Sequence, residues 1–295
     1  MKSHSRVVII KSRVVPSPDG ISPRDLNRMF ALGFSRIGES SSPKPVQLGT
    51  GEKIGIKINT IGGKALSTRP PVALALARTL TEGGVREEDI VIWDRTNREL
   101  RNAGYRLNMN RFGLKVFGTD TRGVDYESRL TLHLNIGSRF STIQTRQVTA
   151  SISLALLKDH GLAGVTAGMK NYFGAIHNPN KYHGDRCNPY VAEVFDCDPI
   201  KQKHRVTILD ALFVQYHRGP AFHPTWNQPY GALIFSADPV AADLIGWQII
   251  EKLRARKGLP SLKDENRDPL YIRIAEQMGL GTTDPNFIEI IEEEI

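Results

Sequence analysis

Cysteine is nearly absent from this chain, at two residues in 295, Cys187 and Cys197. Two thiols exclude a disulfide framework and a four-cysteine metal centre, and allow one bridge at most. The helix-like PYVAEVF between them argues against even that. Ten helical residues span about 15 Å, whereas a bridge needs Cα atoms within about 7 Å. Two free thiols are expected, with Cys187 packed on a loop above His160. No apolar run approaches the roughly 20 residues of a membrane span. The opening MKSHSRVVIIKSRVV has no apolar signal core and no small-residue cleavage site. A cytoplasmic protein is expected from the chain as it stands, and a periplasmic one if a leader has been removed. A basic helix, an arginine tract and an aromatic–basic repeat are also missing. The net charge of +8 is dispersed among acids, which points to small anions and not to specific nucleic acid.

What remains is the composition of an ordinary globular protein, 40% hydrophobic and 24% charged, long enough to form one domain over 1–295. Short β-branched runs recur at 6–11, 53–58, 89–94, 114–118, 150–157, 205–210 and 231–238. Continuous apolar runs of this kind suit strands covered on both faces. Helical patterns lie between several of them. SPRDLNRMFALGFSRI opens with Ser22 as cap and Pro23 at the first position. PPVALALARTLTEGG ends at Gly83-Gly84, and DPVAADLIGWQIIEKLRARKG starts at Asp238 and stops at Gly258. The alternation predicts an α/β fold, with a mostly parallel central sheet and flanking helices. Residues 119–149 read as a hairpin excursion, and 175–204 and 214–230 as long loops over the strand ends.

In open α/β sheets the ligand crevice lies beyond the carboxyl ends of the strands. Lys57-x-Asn59 ends one run and Lys158-x-His160 another, and each pair points to one side because residues two apart share a face. Lys170-Asn171 follows the glycine loop 161–168. Aligned strand ends predict that Lys57 and Lys158 share a face, so that Lys57, Asn59, Lys158, His160 and Lys170 line one crevice; a placement on opposite faces would collapse that derivation of the site. A lysine directly ending an apolar strand is costly unless it meets an anion. Asp94, Asp210 and Asp238 end three further runs and are candidate ligands for a divalent metal. Each has a plainer role as well: Asp238 as a helix cap, the other two as turn caps or partners of bases such as Arg95. Thr68 has the same alternative at the helix near Pro70, and His177 and His183 have metal-ligand spacing but sit in a loop.

The segments GIKIN…STRPPVALALARTLTEGG…IVIWD, LLKDHGLAGVTAGMKNYFG, NPNKYHGDRCNPYVAEV, RVTILDAL and GALIFSADPVAAD resemble the domain of unknown function 362 family over residues 50–250. The matching positions are Lys57, Asn59, Thr68, Asp94, Lys158, His160, Lys170, Asn171, His183, Cys187, Asp210 and Asp238. The resemblance brings no activity with it. Similar proteins often carry an export leader or a ferredoxin-type insert; this sequence has neither, so no intrinsic iron–sulfur cluster is expected. The residues predict an enzyme on a small carboxylate or phosphate, with His160, Lys158 and Lys57 as catalytic groups and Asn59, Thr68, Lys170, Asn171 and His183 binding substrate. An isomerase, a lyase or an oxidoreductase with an external electron carrier fits that set. The competing class is a non-catalytic or accessory protein that holds an anionic ligand or a metal. The oligomeric state is left open.

Overall fold

Eleven strands fall into one large sheet and one small hairpin in the structure, a computed structural model that describes residues 4–14, 16, 21–38 and 51–295. Residues 1–3, on which the leader reading partly rests, lie outside the described residues. The strands are β1 (Ser5–Lys11), β2 (Ile54–Lys57), β3 (Ile90–Asp94), β4 (Lys115–Gly118), β5 (Thr131–His133) and β6 (Ile136–Ser138). They continue as β7 (Ala150–His160), β8 (Gly164–Thr166), β9 (His204–Gln215), β10 (Asn227–Ser236) and β11 (Ile288–Glu294). The helices are α1 (Pro23–Gly38), α2 (Pro70–Glu82), α3 (Asn97–Asn102), α4 (Tyr190–Asp196), α5 (Asp198–Lys201), α6 (Pro239–Arg256) and α7 (Tyr271–Gln277).

The large sheet has the order β11-β1-β10-β9-β7-β2-β3-β4, with β8 folded back onto β7. Strands β2, β3, β4, β7 and β9 run parallel, whereas β10 and β8 oppose them. Helices α1, α2 and α3 cover one face, over Ile54, Ile56, Ile152 and Leu154. The other face, with Ala155, Leu157, Leu209 and Ala211, packs against α4, α6 and α7. Both faces are therefore dry, which is why the strands read as unbroken apolar runs. Among the described residues no helix is long and apolar enough to cross a membrane.

Ser22 caps α1 by accepting from Asp25 N at 3.1 Å, and Asp238 caps α6 by accepting from Val240 N and Ala241 N at 2.8 and 2.9 Å. Four details depart from the sequence reading. β9 runs five residues past Asp210. STIQTRQV winds into a π-turn at Ile143–Gln147, beyond the β5–β6 hairpin. The expected loop 175–204 contains α4, α5 and a 3-10 segment at Pro179–Cys187. The chain also ends in β11, whose IEIIEEE pattern is too acidic to resemble the buried strands because it forms the sheet edge, with ion pairs from Glu289 to Arg6 and from Glu292 to Lys11. Both cysteines are free and buried.

Candidate functional site

β2 stops at Lys57, which pairs with Ser153, while β7 continues to His160. The shortfall leaves a notch off the end of β2, beside the projecting end of β7. A cavity of about 180 Å³ is lined there by Lys57, Asn59, Asp94, Lys158, His160, Lys170, Asn171 and His183. That is below the ~300–1,000 Å³ of sites for drug-sized molecules. Lys57 and Lys158 do not share a face. Lys57 is level with Ser153, on the face of Ala155 and Leu157; Lys158 alternates with Ile152 and Leu154 on the other. The shared-face expectation fails, and with it the derivation of the site from a common face. Both lysines nevertheless line one cavity, because it lies beyond the carboxyl end of β2 and receives side chains from either side of the sheet.

Lys57 is not a free cation. Its Nζ donates to Asp94 Oδ1 at 2.6 Å, to Ile58 O at 2.6 Å and to Asn171 Oδ1 at 3.3 Å, which uses all three hydrogens. Asp94 Oδ2 accepts from Thr60 N and Thr60 Oγ1 at 2.7 and 2.6 Å, and Oδ1 also accepts from Arg95 N at 2.8 Å. Asn171 Nδ2 donates to Lys57 O and Ser153 Oγ. Gly174 closes the knot, since a Cβ there would stand 2.7 Å from Lys57 Nζ and 2.8 Å from Asp94 Oδ1. This group ties the ends of β2 and β3 to the 170–175 turn.

Lys158, Lys170 and His160 are different in kind. Lys158 Nζ donates to Asn59 Oδ1 at 3.1 Å and to Leu66 O at 3.4 Å, and forms no ion pair among the described residues. Burial, reinforced by the Lys170 ammonium, brings its pKa down to about 8. Burial brings Lys170 to about 8 as well. Lys170 Nζ lies 3.4 Å from His183 Nε2 and 4.5 Å from the centre of the Phe173 ring. His183 Nδ1 is 2.9 Å from Pro179 O, so Nδ1 carries the proton and Nε2 accepts from Lys170. His160 Nδ1 accepts from Leu162 N at 3.2 Å and Ala163 N at 3.1 Å, which fixes the neutral ring with its proton on Nε2. Burial and the neighbouring Lys170 push its pKa down to about 2. With Nδ1 engaged by the backbone, the neutral ring has its Nε2–H left to donate, on a residue that lines the cavity.

The family model described as domain of unknown function (DUF362) matches residues 54–248, well over half of the chain. This chain belongs to the DUF362 family. No curated protein matches its sequence. It is similar to a solved structure of a protein from Thermotoga maritima, with 10% identity and a TM-score of 0.47, over 90% of this chain and 60% of that one. The chain thus spans about 60% of the length of that protein.

Several residues picked out in this DUF362 chain lie outside the cavity. Thr68 does not cap α2; its hydroxyl accepts from Asn59 N at 3.3 Å and donates to Leu154 O at 3.2 Å, so it holds Asn59 in place. Asp210 is buried mid-strand, opposite Leu156, with its pKa pushed up to about 6 by burial. Asp238 lies two residues past β10, which runs against β9 and so delivers it to the opposite end of the sheet. There it also accepts from Ser5 Oγ and Thr282 N. The three carboxylates cannot meet at one ion, and Asp94 has its oxygens occupied. Among the described residues no group of three or more His, Cys, Asp and Glu side chains is placed to hold a metal. His177 Nδ1 accepts from Arg139 N, apart from His183. Cys187 is packed in the core.

Sequence reasoning missed Phe173, Gly174 and Pro179, which bound the cavity, and named Arg95 only as a possible partner of the aspartates, not as the partner of Glu99 at the cavity rim. Arg95 directly follows a strand end, the one signal that could have found it.

Proposed function

We propose that this protein is an enzyme acting on a small anionic substrate, a carboxylate or a phosphate, by lysine-centred acid–base chemistry. The observation that carries this is the pairing of two buried lysines, Lys158 and Lys170, that have no carboxylate partner among the described residues and border one small cavity. Burying ammonium groups side by side is unfavourable, and an anion between them offsets the cost. The anion would be held by Lys170, His160 Nε2–H and the Asn59 amide. Lys158, with a pKa of about 8, gains and loses a proton near neutral pH, as a general base or acid must. Removal of a proton beside a carboxylate, as in an isomerase or lyase, needs one such base and one anion clamp. An oxidoreductase with an external electron carrier uses the same set. The locking of His160 as a donor favours a second reading, a non-catalytic anion-binding protein. Thermal-shift screening of small carboxylates and phosphates, followed by turnover assays on those that bind, separates the two. Binding without turnover supports the second; no stabilisation by any anion contradicts both.

A further inference from the structure

Among the described residues Lys158 Nζ has two acceptors, Asn59 Oδ1 at 3.1 Å and Leu66 O at 3.4 Å. A neutral amine carries two hydrogens and one lone pair. Once Lys158 is deprotonated, these two acceptors take its two hydrogens and leave the lone pair unengaged, on a residue that lines the cavity. The carboxylates that border the cavity cannot quench it, because Asp94 is held by Lys57 and Thr60, and Glu99 by Arg95.

We propose that Lys158 forms a Schiff base with a small 2-oxo acid. This rests on the reading of the cavity as an anion site and adds a carbonyl next to the anion. Lys170 is the companion cation: it lies against the Phe173 ring, which favours the charged form, and its charge disfavours a second one on Lys158. A lysine desolvated beside another cation is an activated amine nucleophile. Lys170 and His160 Nε2–H take the carboxylate, and Lys158 Nζ attacks the adjacent carbonyl carbon. A C–N bond forms, the carbonyl C–O bond breaks, and the oxygen leaves as water with both amine hydrogens. No oxidant or reductant is consumed. Ile61, Phe173 and Pro220 supply an apolar wall for the remainder of the acid, and the cavity volume of about 180 Å³ restricts it to a few atoms.

The test is borohydride trapping with pyruvate as probe, with peptide mapping of the product and a parallel thermal-shift titration with pyruvate alone. The expected result is one carboxyethyl group per chain, on Lys158, and none at that peptide in Lys158→Gln. Mapping of the wild-type adduct locates the lysine even if the variant folds poorly. Stabilisation by pyruvate without an adduct on Lys158, or with the adduct on Lys170 or spread over exposed lysines, overturns the Schiff base and leaves the anion site standing. Neither stabilisation nor adduct with pyruvate overturns the Schiff base; the anion site falls with it when inorganic phosphate and the other small carboxylates also fail to stabilise the protein, and stands when one of them does.

Discussion

Lys57 Nζ and Asp94 Oδ1 stand 2.6 Å apart, with both side chains almost wholly removed from water. Thr60 and Arg95 N fill the remaining positions of the carboxylate, and Ile58 O and Asn171 those of the ammonium. A pair so completely engaged joins strand ends and does not wait for a ligand.

Removing one partner strands the other in a dry site. Lys57→Met is expected to cost about 3–5 kcal/mol of stability. Urea denaturation measures it; a change below about 1 kcal/mol would show that Asp94 finds other compensation.

Lys158→Gln and Lys170→Gln are expected to act in the opposite direction. Each removes one of two buried like charges while keeping most of the side-chain volume. Stability at pH 7 should hold or rise by up to about 2 kcal/mol, with anion binding lost. A fall of several kcal/mol in the same denaturation experiment would mark these lysines as structural.

The pH dependence follows from the same groups. Lys158 and Lys170 have folded pKa values of about 8, against an ordinary 10.5. Between these limits the unfolded chain binds more protons, so stability rises with pH across that window and is flat in this respect below it. Comparing urea midpoints at pH 7.5 and pH 9.5 for the protein and its K158Q/K170Q variant isolates the two groups. The protein should gain relative to the variant as pH rises; a relative loss would mean that the folded ammonium groups have found an anion.

His160 separates position from chemistry. His160→Ala leaves the Leu162 and Ala163 N–H groups without their acceptor, at a cost of about 1–3 kcal/mol. Asn at this position places an oxygen where Nδ1 was, so His160→Asn should recover most of that stability. Activity profiles should show no ionisation between pH 6 and 7, because the ring stays neutral down to a pKa of about 2. A limb in that range that disappears in His160→Asn would restore the imidazole to an acid–base role.

The sheet was legible because strands dry on both faces are written as continuous β-branched runs, and the caps at Ser22 and Asp238 followed from local residue chemistry. Strand direction was not legible. Nothing in GALIFSAD says that β10 runs against β9, and that reversal alone carries Asp238 away from Asp94. Asp210 was misplaced because β9 continues through ALFVQ, which reads equally well as loop or strand. The gathering of Lys57, Lys158, His160 and Lys170 was anticipated from strand ends, but for a partly mistaken reason, since the unequal lengths of β2 and β7 bring opposite faces to one cavity. Pairing was hidden altogether. Lys57 and Lys158 look alike in sequence, and the packing of β3 against β2 gives the first a carboxylate, whereas the second has none among the described residues.

Calorimetric titration with pyruvate, on the protein and on K158Q/K170Q, tests the central claim most directly. Saturable binding at one site per chain is expected, weakened by at least about tenfold, or 1.4 kcal/mol, in the variant. Equal affinity in both proteins, or no binding of either pyruvate or inorganic phosphate to the unmodified protein, would contradict an anion site between Lys158 and Lys170.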